Sequence, residues 1–368
     1  MIEKIIEPLR EWYGRNKRSL PWREEQNPYY IWVSEIMLQQ TRVEAVKPYF
    51  KRFIAALPDV NALAACPEDQ LLKLWEGLGY YNRVRNMQKA ACAIRDKYGG
   101  SFPREYEELK KLSGIGSYTA GAIASIAFGR PVPAVDGNVL RVLARLREDD
   151  RDISSQTVKN SVERELLPLM PKENPGEFNQ ALMELGAMVC LPNGRPQCEI
   201  CPLQTLCRAH GTGRELDFPR KKSPKERRVE DHTILLIQDG SHLVFQKRPS
   251  RGLLAGLYEF PNLLGHLERQ EVLDWVEEAG FLPLHIQPLE SARHIFSHVE
   301  WRMIGYAVRV ASPEGKVRDG LILADKDGAE KNYPLPSAYR AYAGYMNLNL
   351  GLEREKNHEI VISSSTLL

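Results

Sequence analysis

No apolar run in this 368-residue chain approaches membrane-spanning length, which excludes an integral helical membrane protein. Neither sign of charge dominates. Lys and Arg number 50 against 48 Asp and Glu, a net charge of +2, so bulk charge argues neither for nor against a polyanionic partner. Any such site must come from local arrangement. The opening segment MIEKIIEPLREWYG carries acids and has no small-residue cleavage site, so it does not read as a secretory signal, and the cytoplasm is the expected location. Cysteine is scarce and uneven. Cys66 and Cys92 stand apart, while Cys190, Cys198, Cys201 and Cys207 crowd one short stretch. Disulfides have little place in a cytoplasmic chain, so the crowding points to metal.

The length allows two domains, each with its own core, and 43% hydrophobic with 27% charged residues is ordinary for a globular protein. From residue 1 to about 212 the apolar residues recur at helical spacing. Ile5, Leu9 and Trp12/Tyr13 form one such stripe; Leu71, Leu74, Trp75 and Leu78 form another. Pro58, Pro67, Gly77, Gly79, Gly99, Gly100 and Pro103 interrupt them at helix-sized intervals, giving an all-α domain of short helices. Residues 213–231 are charged, proline-containing and poor in aliphatics, and are expected to be a solvated basic linker. From 232 to 351 the pattern is α+β. Thr233–Ile237, an Asp239-Gly240 turn and His242–Gln246 predict a β-hairpin; Glu271–Ala279 predicts a helix stopped by Gly280. Arg302, Ile304, Tyr306, Val308 and Val310 share one face of a later strand. Residues 352–368 are polar and serine-rich and are expected to form a flexible tail.

Four constellations in the first half carry chemistry. In Leu112–Ala120 (LSGIGSYTA), Gly114 and Gly116 make a tight corner, and Ser117 opens the next helix, whose free N–H groups suit a phosphate. A plain helix corner has the same look. In Pro133–Val142 (PAVDGNVLRV), Asp136 stands immediately before a helical run. It reads equally as an N-cap and as a catalytic carboxylate kept ionised by the helix N-terminus. In Ile31–Val43 (IWVSEIMLQQTRV), apolar residues surround Glu35, which predicts a part-buried carboxyl. It is either paired with an arginine or held protonated as a general acid. Gln39, Gln40 and Thr41 offer donors and acceptors for base edges. The four cysteines are spaced C-x7-C-x2-C-x5-C, which fits a [4Fe–4S] cluster better than structural zinc, usually built from paired C-x-x-C units or histidines.

Together these strings, with Leu20–Arg23, Gly77–Arg83 and Phe178–Cys190, resemble the endonuclease-III-type helix-hairpin-helix glycosylases, and within them the adenine DNA glycosylases of the MutY type. The resemblance runs from about Trp22 through the second domain. One departure is visible: seven residues separate the first two cysteines where the family usually has six, and Asn193-Gly194 suggests a turn insertion. The resemblance implies a helix-hairpin-helix glycosylase domain with an iron–sulfur cluster followed by a Nudix-like domain. Its implied substrate is double-stranded DNA carrying adenine opposite 8-oxoguanine or guanine, bound by a monomer in the nucleoid-associated cytoplasm. It further implies that Glu35 protonates the leaving adenine and that Asp136 stabilises the cationic sugar, assisted by Tyr118 and Asn138. Arg23, Leu38 and Gln180 match the pocket for the extruded base, and Gln40, Thr41 and Tyr80 match residues that fill or wedge the opposite strand. Tyr118 stands where relatives with lyase activity carry a nucleophilic lysine; a phenol forms no imine, so a monofunctional enzyme is implied.

In the second domain the magnesium glutamates of a working Nudix box are incomplete. Leu273–Glu278 lacks the arginine and first glutamate, and Gly265 stands at the expected upstream position. Phe296, Ser297 and His298 instead resemble the loop that reads 8-oxoguanine. Rival readings are a bifunctional pyrimidine glycosylase/lyase, a non-enzymatic iron–sulfur DNA-binding protein and a nucleotide pyrophosphatase.

Overall fold

The computed structural model describes residues 3–222, 226–311 and 317–351; the expected tail at 352–368 lies outside the described residues. The chain folds as two units. One comprises residues 1–66 with 82–224, and the other residues 67–81 with 225–368.

The first unit is helical. Its helices are α1 (Glu3–Asn16), α2 (Pro28–Leu38), α3 (Val43–Ala56) and α4 (Val60–Ala65). A further helix, α5 (Glu68–Leu74), belongs to the second unit. Then come α6 (Asn82–Tyr98), α7 (Tyr106–Leu109), α8 (Ser117–Phe128), α9 (Gly137–Arg147), α10 (Gln156–Leu166), α11 (Pro175–Met188) and α12 (Arg208–Gly211). The stripe Ile5, Leu9, Tyr13 is the buried face of α1, which packs on α11; α11 in turn packs on α8 and α9. Val139, Leu143, Phe178, Leu182 and Leu185 fill the core where these helices meet. Helix α2 is buried nearly all round and packs on α8. Its start is set locally: Pro28 occupies the first turn, where no N–H partner is needed, and the Asn27 side chain accepts from the Tyr29 N–H at 2.9 Å.

The stretch predicted as a solvated linker is not solvated throughout. Phe218 is buried, the carbonyls of Glu215 and Phe218 accept from Arg145 Nε at 2.9 and 3.0 Å, and the Arg220 carbonyl accepts from the Ile153 N–H. Residues 213–222 therefore finish the helical unit. Arginine side-chain bonds to a polar segment's own carbonyls leave no trace in composition.

The second unit is built on a mixed sheet. Its strands are β1 (Arg228–Asp239), β2 (His242–Lys247), β3 (Tyr258–Glu259), β4 (Asn262–Leu264), β5 (Leu282–Ile295), β6 (Val299–Ala311) and β7 (Leu321–Asp325). The main order is β3-β2-β1-β6-β5, with β4 on β1 and β7 on β2; β1 and β6 are parallel and the other pairs antiparallel. The expected hairpin is present, with Asp239 paired to His242 and Gly240 at φ +57°. Helix α13 (Arg269–Glu278) covers one face, closing over Leu235, Ile237, Val308 and Val310. The other face holds Ile234, Leu236, Trp301 and Met303 under Tyr339 and Tyr342. The predicted face of β6 is buried only toward its end, at Val308 and Val310, while Arg302 on the same face is exposed; over the first half of the strand the opposite face, Val299, Trp301 and Met303, is the buried one. Segment 67–81 joins this unit through charge. Glu76 accepts from the N–H groups of Leu335 (2.7 Å) and Gly351 (3.2 Å) and pairs with Lys73 at 2.8 Å. Asp69 accepts from Lys247 Nζ and the Tyr258 hydroxyl.

Candidate active site

Glu35 sits in the buried stretch of α2, only 8% exposed. Tyr118, in the first turn of α8, donates its hydroxyl to Glu35 Oε2. Burial pushes the Glu35 carboxyl up to about 7; the Tyr118 bond opposes this and the neighbouring Asp136 charge adds to it. Of the two readings left open, the neighbour that hydrogen-bonds this acid is a phenol and not an arginine. The Tyr118 hydroxyl is itself held well above the usual phenol range, by burial and then by Glu35 and Asp136, so it remains a neutral donor.

Asp136 caps α9. Its Oδ1 accepts from the Val139 N–H at 2.8 Å and its Oδ2 from the Asn138 side-chain amide at 2.6 Å. Burial nevertheless pushes its carboxyl upward against these bonds, so the net direction is opposite to what the helix N-terminus alone would give. Asn138 Oδ1 accepts from Arg141 Nη2 at 2.9 Å, and Arg141 reaches the carbonyls of Gly186 (2.7 Å) and Cys190 (2.8 Å). Helix α11 comes this close to Asn138 because position 186 is glycine: a Cβ there would lie 2.5 Å from Asn138 Cβ.

These groups share one pocket of about 1250 Å³, also lined by Arg23, Leu38 and Gln180, and at its edge by Gln39, Gln40 and Thr41. Gln40 takes φ +59°, and the carbonyls of Ile36, Met37 and Gln39 all accept from Arg83 Nη1 (2.7, 3.2 and 2.6 Å), which fixes the end of α2. Two further pocket residues, Arg18 and Glu184, escaped the sequence reading. Glu184, fully buried, accepts from both Arg18 and Arg23. No periodic pattern marks them; only the placing of charged residues opposite one another across the fold does.

Gly114 and Gly116 form the corner before α8, Ser117 opens that helix, and none of the three lines this pocket. Gly114 takes φ +73°, and a Cβ there would lie 2.7 Å from Asn86 Cβ, so the turn demands glycine twice over. The Ser117 hydroxyl donates to Glu163 at 2.6 Å.

Cys190, Cys198, Cys201 and Cys207 line a second pocket whose walls are largely apolar, including Val142, Leu146, Leu185 and Leu203. Burial pushes the Cys198 thiol up to about 11 and the Cys201 thiol to about 12, each raised further by neighbouring cysteines. Burial raises the Cys207 thiol as well, and a cationic metal centre would reverse the preference of these three for the neutral form. His210 and Glu215 also approach Cys198 as a possible ligand set. The two His210 ring nitrogens, however, are engaged by Glu215 (2.6 Å) and Gln204 (3.2 Å). The four cysteines share the lining of this pocket, and the His210 ring is already held by its two neighbours. Gly194, in the suspected insertion, takes φ +74°.

In the second unit Tyr80 is half exposed with φ +49°. Phe296, Ser297 and His298 form the β5–β6 connection, closed by the Phe296 N–H donating to the Val299 carbonyl at 2.8 Å. Phe296 packs edge-on against Trp301, with ring centroids 5.0 Å apart, while Ser297 and His298 are exposed and 3.3 Å from each other.

Comparison with known proteins matches residues 33–168 to the HhH-GPD superfamily of base excision DNA repair proteins and residues 232–343 to the NUDIX domain. The chain is 35% identical to the Homo sapiens adenine DNA glycosylase over 91% of its own length and 73% of that protein. It is 34% identical to the adenine DNA glycosylase of Buchnera aphidicola subsp. Baizongia pistaciae, over 80% of this chain and 83% of that protein. A solved thermostable thymine-DNA glycosylase superposes with a TM-score of 0.51 at 26% identity, covering 57% of this chain and 97% of that one. No helix among the described residues is long and apolar enough to cross a membrane.

Proposed function

The chain belongs to the adenine DNA glycosylase family, and we propose that it removes adenine mispaired with 8-oxoguanine or guanine in duplex DNA by hydrolysing the N-glycosidic bond without cutting the strand. The observation that carries this reading is the pairing, in one pocket, of a buried acid held near pH 7 with a hydrogen-bonded carboxylate. Glycosidic cleavage needs both: a proton for the leaving group and negative charge beside an oxocarbenium-like sugar.

The adenine leaves the helix stack and enters the pocket, lined by Arg23, Leu38 and Gln180. Glu35 gives its proton to N7, making the base a neutral leaving group, and then accepts a proton from the incoming water. Tyr118 orients the Glu35 carboxyl from Oε2. Asp136 lies beside the sugar, its ionised form sustained by Val139 N–H and Asn138. Gln39, Gln40, Thr41 and Tyr80 meet the DNA around the gap, and the corner at Gly114, Gly116 and Ser117 takes a backbone phosphate. Cys190, Cys198, Cys201 and Cys207 would hold a [4Fe–4S] cluster, whose bound role is to pin the 190–207 loop by iron–thiolate bonds. Phe296, Ser297 and His298 read the opposite base.

The test is single-turnover base release from duplexes carrying adenine opposite 8-oxoguanine, guanine or thymine. Release from the first two and not the third supports the reading; equal release from all three, or none, defeats it.

A further inference from the structure

Glu184 is the most heavily hydrogen-bonded acid among the described residues of the pocket, and it takes no part in the proton transfers proposed for Glu35. It is one helical turn after Gln180 on α11, so both side chains face the same way. Its carboxylate is 1% exposed. Oε1 accepts from the Arg18 backbone N–H (3.0 Å) and Arg18 Nε (2.7 Å); Oε2 accepts from Arg18 Nη2 (3.0 Å) and Arg23 Nη2 (2.9 Å). Arg23 is further tied by Nη1 to the Arg18 carbonyl at 3.2 Å and lies over the Tyr13 ring, 5.7 Å from its centroid. The Tyr13 hydroxyl in turn donates to Gln180 Oε1 at 3.1 Å. One carboxylate thus fixes two guanidiniums and, through Tyr13, the amide of the base pocket.

We propose that Glu184 is a positioning residue that clamps Arg18 and Arg23 at the adenine pocket and neutralises Arg23, so that its positive charge does not strip Glu35 of its proton. This deepens the excision reading and rests on it. Three charged or titratable groups act on Glu35 from the elements around it: Tyr118 from α8, Asp136 before α9, and Arg23 from the 3₁₀ turn Pro21–Arg23. Arg23 is the cation among them and favours the Glu35 carboxylate. Burial alone would raise the Glu184 carboxyl, but the bonds from Arg18 and Arg23 outweigh it and hold it at about 2, so its charge persists throughout the working range. Replacing that charge with an amide leaves Arg23 uncompensated. The protonated fraction of Glu35 then falls at any pH near its titration.

The experiment is the pH dependence of the single-turnover rate for adenine opposite 8-oxoguanine, with enzyme in excess. Wild type should lose rate as pH rises through the Glu35 titration. In Glu184→Gln that alkaline limb should move toward acid by about one pH unit, with about a tenfold lower rate at pH 8. Adding Arg23→Met should move the limb back. A folded Glu184→Gln enzyme with an unmoved limb overturns the proposal. If the amide variant does not fold, Glu184→Asp decides. It keeps the charge but shortens the reach, so the limb should stay while the rate falls about tenfold; an unchanged rate overturns the proposal. A wild-type chain that releases no adenine would defeat the excision reading itself, and the proposal with it, before any variant is compared.

Discussion

The Tyr118 hydroxyl and the Glu35 carboxyl are hydrogen-bonded to each other, although 83 residues separate them in sequence. The pairing places a donor on the carboxyl proposed to carry the proton, within a buried helix that resists charge. Glu35 is therefore a group whose environment opposes ionisation, and in the proposed mechanism it loses and regains a proton.

That opposition has a measurable effect on stability. The folded Glu35 carboxyl is raised from 4.5 to about 7, so the native state retains a proton that the unfolded chain gives up. Stability should fall as pH rises between those values and then level off. Glu35→Gln removes the effect. Urea unfolding should find the variant more stable than wild type at pH 8, by at most about 3 kcal/mol, with no difference at pH 4. The same variant should release no adenine. Equal unfolding midpoints at pH 8 would mean that Glu35 is not buried in solution.

Asp136 accepts from the Asn138 side-chain amide at 2.6 Å, and the proposed mechanism sets this pair beside the sugar. Asp136→Asn should bind mispaired duplex as wild type does and lose at least about a hundredfold in single-turnover rate, since a neutral amide cannot balance the sugar cation. Asn138→Ala removes the 2.6 Å bond to Oδ2 and should lower the rate less, by about tenfold. Wild-type turnover by Asp136→Asn would remove the residue from the chemistry.

The cysteine pocket predicts about four irons per chain and yellow-brown protein after anaerobic purification. Cys201→Ser should lower iron content and thermal stability together, because the thiol lines the same pocket as core residues Leu185 and Leu203. Stoichiometric zinc in colourless protein would contradict the assignment.

Reading of the opposite base is proposed for the β5–β6 connection. Ser297→Ala/His298→Ala alters two exposed side chains and leaves Phe296 on Trp301, so folding should be unaffected. The ratio of excision rates opposite 8-oxoguanine and guanine should fall several-fold, on the scale expected when a hydrogen-bonding site loses its donors. An unchanged ratio would return lesion reading to Gln40, Thr41 and Tyr80.

Much of this was legible in the residues. The α1 stripe, the Asp239-Gly240 hairpin and the α13 stop at Gly280 follow from spacing and turn chemistry, which are local. Glu35, Tyr118 and Asp136 were marked by motif strings, and the pocket that unites them is the structure's contribution. What escaped was set by long-range charge. Glu184 meets arginines 161 and 166 residues away. Glu76 draws segment 67–81 into the second unit through backbone groups more than 250 residues distant. On β6 the buried side changes along the strand, from Val299, Trp301 and Met303 to Val308 and Val310, so a single face read over its whole length captures only the second set.

The central claim, hydrolytic removal of adenine by a monofunctional enzyme, is tested most directly by the state of the DNA after one turnover. A duplex with adenine opposite 8-oxoguanine is incubated with excess enzyme, and each portion is divided between neutral quenching and hot alkali. The account predicts free adenine at both quenches, an unbroken strand in the neutral portion and cleavage only after alkali, because Tyr118 offers no amine to form an imine with the sugar. Strand breakage by β-elimination in the neutral portion, keeping pace with adenine release, would contradict it.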